Sequence, residues 1–567
     1  MRGFMTATDF DRIASEAFGI SALREHQRAA LGPYVEGRDV LVTLPTGGGK
    51  SLIYQLPAVL LDGLTLVVSP LIALMKDQVD ALVRKGIRAT FVNSSLSGRE
   101  RTKRLAAARD GAFDLLYVTP ERFRSRAFLD SLPELDVTRL AVDEAHCISE
   151  WGHDFRPDYW KLGEYRRLLG DPPTVALTAT ATPRVADDIV RALRLRDPVR
   201  VRAGIDRPNL FLSVREVVHA EDKLPILVDR IRRMNGAGIV YSTLIKDLEA
   251  LHVELQRVGI PSLVYHGKLS NDERRDMQDR FMREENHVVL ATNAFGMGVD
   301  KEDIRFVLHA QIPKTLEAWT QEIGRAGRDG EPSFCELLYF EEDMAIQQEF
   351  IRWANPDRTF LVSVYEILKS WGERIATKDE QDLRSELLLK NKRDNRIGIV
   401  LRWLEVLGLL EGSFERHDLS ITGELDVGAL PSFVGTAEKL EGDLSGLLRM
   451  VRFAQGVDGC RLERLEDYFG VERTASPHTA CDVCSEREAW IDEHFEERPT
   501  QAVEREPEEA ADGFRRGDWV QIDGRHFGQV VKVEGRGKDA LLIVESAGDF
   551  RRRKVRPSKQ RVEKLES

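Results

Sequence analysis

Over its first 200 residues the chain alternates short apolar runs with polar, helix-like stretches. The runs at 39–44, 64–69, 114–119, 140–143 and 174–178 are near-continuous in Val, Leu and Ile and end in turn residues. Strands buried on both faces require such unbroken runs. Helical stretches between them imply a parallel, doubly wound α/β sheet. The pattern recurs from about 210 to 340, with strands predicted at 238–242, 262–266, 287–291 and 305–310. Two tandem lobes are therefore expected, 1–205 and 206–344, with a ligand cleft between them.

Beyond 344 the pattern changes. Residues 345–460 are mostly helical in spacing. The stretch 395–410 carries apolar residues at helical intervals, stops near Gly412 and is followed by polar, strand-like residues. It reads either as a winged-helix-like unit or as a helical connector. Residues 486–512 hold eleven Asp/Glu against three Arg, with Pro499 and Pro507, and read as a disordered acidic linker. Residues 513–567 contain short strand-like pieces at 519–522, 527–534 and 540–545 between Gly-containing turns, which suits a small SH3-like β domain.

Composition narrows the classes. The 567 residues are 42% hydrophobic and 31% charged, a globular balance. The apolar stretch 58–75 is broken by Asp62, Gly63 and Pro70, so no membrane span is expected, and the N-terminus lacks a signal-peptide apolar region. Five cysteines, odd in number and clustered toward the end, argue for a reducing compartment. The net charge of −12 argues at first against a polyanionic partner. Its distribution weakens that objection: the linker carries −8 and residues 513–567 carry +6, leaving −10 on the remaining 485 residues. Nucleic-acid binding by the body would then use a local track, with the basic tail as a second anchor.

Pro45-Thr46-Gly47-Gly48-Gly49-Lys50-Ser51 follows a predicted strand and opens a helical stretch, the context of a phosphate-binding loop. Its glycines let backbone N–H groups turn toward phosphate oxygens. Lys50 would meet the β- and γ-phosphates of ATP, and Ser51 would supply an oxygen to Mg²⁺. Leu44 departs from the usual first glycine. The strand 140–143 ends in Asp143-Glu144, where Asp143 would hold Mg²⁺ and Glu144 would orient or deprotonate the attacking water.

Asp143-Glu144-Ala145-His146 is followed by Cys147-Ile148-Ser149-Glu150-Trp151-Gly152-His153-Asp154-Phe155-Arg156-Pro157. This resembles the aromatic-rich loop of RecQ-family superfamily 2 helicases. The resemblance covers about 10–345, with the motifs in order, and implies two RecA-like lobes. Leu23-Arg24-Glu25-His26-Gln27 resembles the adenine-recognition motif, which implies ATP contacts from Arg24 and Gln27. Segments beginning at Ser69-Pro70 and at Thr119-Pro120 resemble motifs Ia and Ib, and Thr178-Ala179-Thr180 resembles motif III. Ser242, His266 and Thr292 fall in segments resembling motif IV, its neighbour and motif V. The resemblance implies DNA contacts from Ser69, Pro70, Thr119, Pro120, Trp151, His153, Phe155, Arg156, Ser242, His266 and Thr292. Trp151 and Phe155 offer stacking faces for unpaired bases. Gln321–Gly330 resembles motif VI. Its Arg325 and Arg328, three apart, could share one helical turn and act as arginine fingers.

Cys481-x-x-Cys484, preceded by Cys460, is similar to part of the RecQ zinc module. Where the second of the module's four cysteines is expected stands Ser-Pro-His, with His478 completing a Cys₃His site for structural Zn²⁺. The order is atypical, because 132 residues separate Arg328 from Cys460 and the winged-helix-like stretch precedes the zinc ligands. Cys147 and Cys335 read as isolated thiols. The whole reads as an ATP- and Mg²⁺-dependent 3′–5′ DNA helicase of repair or recombination, acting on single-stranded and partly duplex DNA. Its location would be cytoplasmic, nucleoid-associated if bacterial, with a possible protein partner for the C-terminal domain. An RNA-dependent ATPase or a translocase that does not unwind stays open; a non-catalytic binding platform fits poorly with Lys50, Asp143, Glu144, Arg325 and Arg328.

Overall fold

The computed structural model describes residues 7–152, 154–284, 286–296, 301–389, 391, 394–473, 480–498, 514, 518–523, 526–534, 541–546 and 552–564. In the first lobe seven strands, β1 (Val40–Thr43), β2 (Leu64–Val68), β3 (Ala89–Val92), β4 (Leu115–Val118), β5 (Val137–Val142), β6 (Thr174–Thr178) and β7 (Val199–Arg202), form one sheet. Their order is β3-β4-β2-β5-β6-β1-β7, and every pairing is parallel. Alternate residues serve two cores: Val40 and Val42 face one, Leu41 the other, which is why the runs are apolar without alternation. Asp39 starts β1 fully buried. Both its oxygens lie 2.8 Å from Arg166 Nη2, and it accepts Thr174 N–H at 2.9 Å, tying β1 to β6. Removing one partner of such a pair costs about 3–5 kcal/mol.

The second lobe repeats the design with β8 (Leu210–Glu216), β9 (Ala237–Tyr241), β10 (Ser262–Tyr265), β11 (Val288–Ala291), β12 (Ile304–His309) and β13 (Ser333–Tyr339), in the order β10-β11-β9-β12-β13-β8, again all parallel. Four of the thirteen strands are absent from the apolar-run pattern. β7 alternates Val and Arg, as a sheet-edge strand does, and β3 is short. β8 and β13 carry charge: Glu336 in the middle of β13 is 1% exposed, accepts from Ser213 Oγ and Arg230 Nε, and so interrupts the apolar run with a satisfied ion.

The helix Asp343–Ala354 packs on the helix Ala437–Gln455, and both lie against the second lobe. Residues 358–434 are inserted between them. They form three helices, Arg358–Trp371, Glu380–Glu386 and Arg396–Val406, followed by an antiparallel pair, Leu410–Glu411 with Ser420–Ile421, around a core of their own. This insertion explains the unusual order, because the helix Ala437–Gln455 returns the chain to the second lobe before Cys460. Beside β8, Leu212 N–H donates to Ala480 O and Asp482 N–H to Leu212 O.

The expected acidic linker does not begin at 486. Arg487–His494 is a helix, and its acids are counter-ions for arginines of the second lobe. Glu488 pairs with Arg230 and Arg233, and accepts from Arg215 Nη2 at 2.9 Å. Arg498 is buried, with its guanidinium donating to the carbonyls of Ile231, Met234, Gly236 and Asn286. Burial without a carboxylate pulls its pKa down to about 10. The hydrogen bond from Arg230 leads the causes that hold Glu488 at about 2, against the ordinary 4.5. A carboxyl depressed on folding stabilises above its unfolded value and loses that contribution as pH falls through its folded value. Docking of 487–498 should therefore weaken between pH 4.5 and about 2, read as hydrogen exchange rising in this segment. Exchange unchanged across that window would remove Glu488 as the clasp.

A second unit, described by itself, holds five antiparallel strands in the spatial order Arg552–Val555, Leu541–Ser546, His526–Glu534, Trp519–Ile522, Val562–Lys564. Val520, Ile522, Val530, Leu542, Val544 and Val555 form its core. The two strands missing from the sequence pattern are its edges, which are rich in Arg and Lys, as exposed edges usually are. No helix among the described residues is long and apolar enough to cross a membrane.

Candidate nucleotide and nucleic-acid site

β1 delivers the phosphate-binding loop to the cleft, and the helix Leu52–Leu60 follows it. Gly47 (φ 79°) and Gly49 (φ 73°) adopt the left-handed conformation that glycine tolerates. A Cβ on Gly48 would stand 2.9 Å from Pro45 O, and one on Gly49 would collide with the Gln27 amide. Three consecutive carbonyls of the loop are held by the first turn of the helix Glu25–Val35 and its cap. Arg24 Nη1 donates to Gly47 O at 2.9 Å, His26 Nε2 to Gly48 O at 3.1 Å, and Gln27 Nε2 to Gly49 O at 3.1 Å. Gln27 Oε1 accepts Arg24 N–H at 2.8 Å. Both ends of the buried Gln27 amide are thus engaged within the protein, the nitrogen by the loop carbonyl of Gly49 and the oxygen by the helix cap at Arg24. His26 is a member of this grip that motif reading passed over; its place between Arg24 and Gln27 was the available signal.

Lys50 Nζ donates to Leu44 O at 3.0 Å and faces the carboxylates at the end of β5. Desolvation lowers its pKa, while the charges of Glu144 and Asp143 act in the opposite direction. Desolvation, and then the charge of Glu144, raise that of Asp143. Asp143 accepts from its neighbour's backbone, Glu144 N–H, at 3.0 Å. Glu144 has φ 47°, a left-handed geometry unusual for a side-chain-bearing residue, which costs about 1–3 kcal/mol, and its charge acts on Lys50.

The two arginines of 321–330 take separate places. The helix Leu316–Ile323 ends at Gly324, and 324–329 is a succession of turns with Gly327 at φ 55°. Arg325 and Arg328 therefore do not share a helical turn. Arg325 is buried and donates to Gly296 O, beside Tyr241, whose hydroxyl donates to Phe295 O. Arg328 faces the phosphate loop: a Cβ on Gly47 would lie 3.8 Å from Arg328 Cγ, and the charge of Arg328 acts on Lys50. Arg207 holds the turn against the loop by donating to Ala326 O, Gly327 O and Thr46 O.

Most of the expected strand-contacting side chains point inward. Ser69, Pro70, Thr119, Pro120 and Ser242 are buried because they end strands. Ser69 Oγ lies 3.5 Å from Asp143 Oδ2, and Ser242 Oγ donates to Gln311 Oε1 at 3.2 Å. Thr292 and His266 are half-buried. The Trp151 ring lies under the Arg184 guanidinium at 3.5 Å, and the helix Ala437–Gln455 can approach that ring because Gly442 has no Cβ. Phe155 packs on Phe433 with ring centroids 4.9 Å apart. Arg156 pairs with Asp154 at 3.1 Å. His153, and residues 297–300 of the motif V segment, lie outside the described residues. Arg122, in the motif Ib segment but unselected from sequence, has Arg101 as its charged neighbour and no carboxylate partner among the described residues. Such an uncompensated basic pair suits a phosphate.

Cys460, Cys481 and Cys484 converge, with all sulfurs within 4.8 Å of one another. Desolvation and the neighbouring thiols push Cys484 up to about 12. The donor set fits Zn²⁺. His478 lies outside the described residues.

Residues 24–189 match the DEAD/DEAH box helicase family and 222–330 the helicase conserved C-terminal domain. A probable ATP-dependent DNA helicase RecS of Bacillus subtilis (strain 168) is 40% identical over 464 residues, 82% of this chain and 88% of the relative. An ATP-dependent DNA helicase RecQ of the same organism is 46% identical over 337 residues, 59% of this chain; the match spans only 56% of that relative. Among solved structures, a DUF1998 helicase MrfA bound to DNA shares the fold at 18% identity and TM-score 0.50, covering 75% of this chain and 60% of that one.

Proposed function

Because the chain belongs to the RecQ family of ATP-dependent DNA helicases, we propose that it hydrolyses ATP with Mg²⁺ to move 3′ to 5′ along single-stranded DNA and separate partly duplex DNA, in repair or recombination. The observation that carries this reading is the convergence of the phosphate loop, Asp143–Glu144 and Arg328 in one interlobe cleft. The loop N–H groups and Lys50 bind phosphate, and Ser51 with Asp143 hold Mg²⁺, which neutralises phosphate charge. Glu144 orients and deprotonates the attacking water. Arg328 supplies charge to the transferring phosphoryl group, while Arg325 positions the turn that carries it. Arg122 and Arg101 give the first lobe a phosphate contact, and Trp151, Phe155 and Arg156 meet the strand once their present protein contacts are exchanged. The location is cytoplasmic, on the nucleoid if the cell is bacterial.

Hydrolysis and strand separation, measured on duplexes with 3′ or 5′ single-stranded tails in DNA and RNA, test this reading. DNA-stimulated hydrolysis with unwinding from 3′ tails is expected. No stimulation by DNA would overturn it, and unwinding only from 5′ tails would refute the polarity.

Cys460, Cys481, Cys484 and His478 hold a structural Zn²⁺. Wild type should contain one zinc per chain, and Cys481→Ser should lose it together with thermal stability; equal metal content in the two would dismiss the site. The basic C-terminal domain is a second DNA anchor. Truncation at Gly513 should weaken DNA binding and flatten its salt dependence. Unchanged binding would assign the domain to a protein partner.

A further inference from the structure

Cys147 reads from sequence as an isolated thiol, but in the folded chain two further donors converge on it. His146 is 0% exposed, and its Nδ1 lies 3.0 Å from Thr178 Oγ1. The Thr178 hydroxyl donates its own hydrogen to Thr180 O at 3.1 Å, so a neutral ring keeps its hydrogen on Nδ1 and Nε2 is the basic nitrogen. Cys147 Sγ, fully buried, stands 3.7 Å from that Nε2 and 3.8 Å from Asp154 Oδ2. The three donor atoms all lie within 4.8 Å of one another. Asp154 comes back over Cys147 because Arg156 N–H donates to Cys147 O at 2.9 Å and closes the loop 147–156. Gly152 permits that path, since a Cβ there would collide with His146 O.

The geometry points to a second cation site, in which His146 Nε2, Cys147 Sγ and Asp154 Oδ2 bind a thiophilic divalent ion of the Zn²⁺ class. Bonds of about 2.3 Å to sulfur and about 2.0–2.2 Å to nitrogen or oxygen, at tetrahedral angles, set sulfur about 3.5–3.6 Å from its neighbours. The sulfur already stands close to that spacing from both partners. A mixed sulfur, nitrogen and oxygen set suits Zn²⁺ and not Mg²⁺ or Ca²⁺, which take oxygens. The groups that orient the donors are in place: Thr178 fixes the imidazole, and Arg156 Nε donates to Asp154 Oδ2 at 3.1 Å. Charge balances as well. Burial keeps the free thiol protonated. The entering ion displaces that proton to solvent, and one thiolate with one carboxylate then match its two charges. The Asp154 side chain is 35% exposed, so the ion enters from that side and a water completes the tetrahedron. Once bound, the ion ties Asp154 to the turn that follows β5.

Equilibrium dialysis of the full chain against Zn²⁺, with Mg²⁺ in excess to fill sites made of oxygens alone, tests this assignment by counting zinc per chain. Wild type should hold one ion at the Cys460 cluster and one at Cys147. Cys147→Ala and Asp154→Asn should each hold one ion fewer than wild type. Both should keep the ion of the Cys460 cluster, which shows that the fold survives. Should Cys147→Ala disturb the buried turn and lose both ions, the partly exposed Asp154→Asn carries the test. A zinc count equal to wild type in Asp154→Asn, or in a Cys147→Ala chain that keeps its fold, overturns the inference. An ion lost in Cys147→Ala and Asp154→Asn but kept in full by Cys481→Ser would support it and dismiss the Cys460 cluster alone.

Discussion

Glu144→Gln should lower ATP hydrolysis by about 10²–10⁴-fold, the usual worth of a general base, and leave nucleotide affinity nearly unchanged. The substitution keeps the shape of the side chain and removes its proton acceptor. The left-handed backbone at this position is held from both sides: Asp143 Oδ1 accepts Glu144 N–H at 3.0 Å, and Glu144 O accepts Cys147 N–H at 2.9 Å. Glutamine inherits both contacts, so the turn should persist. The loss belongs to kcat, because a water is activated only in the transition state. Steady-state hydrolysis beside a direct nucleotide titration separates the two terms. A glutamine variant within tenfold of the wild-type rate would assign the base elsewhere.

The two arginines of motif VI should fail differently. Arg328→Ala should lower kcat by about 10³-fold or more, with little change in thermal stability, because this side chain faces the phosphate loop. Arg325→Ala should lower stability, because it removes a buried donor from Gly296 O and from the neighbourhood of Tyr241; leaving such groups unsatisfied costs about 1–3 kcal/mol. Lysine at 328 should recover only part of the rate, since an ammonium lacks the planar fork of a guanidinium. Paired melting curves and hydrolysis rates decide the matter. Equal loss of rate with unchanged melting in both variants would make both arginines fingers.

The parallel sheets were legible because strands covered on both faces are apolar on both, broken only by threonine, as in 40–43, 64–68 and 174–178. Legibility failed where charge is buried in pairs. Glu336 breaks the run of β13, and its partners Arg230 and Arg487 lie far away in sequence. The same cause hid the helix Arg487–His494. Its acids resemble a solvated run until the arginines of the second lobe are placed beside them. At the site, spacing identified Lys50, Asp143 and Glu144, because a strand end followed by a turn is a local arrangement.

The amino-acid sequence by itself determined the two-lobed architecture, the phosphate loop, the carboxylate pair and the family, since each is written in short contiguous segments whose geometry is local. Tertiary structure alone decided which arginine faces the loop, that the Gln27 amide nitrogen grips the loop, and that Trp151 and Phe155 rest against 358–455. It also decided how the inserted segment 358–434 still allows Cys460 to reach Cys481. Each of these is a contact between segments distant in the chain. Periodicity and motif spacing report the local conformation of one segment; which side chain fills a cleft depends on what the packing of all the others leaves open.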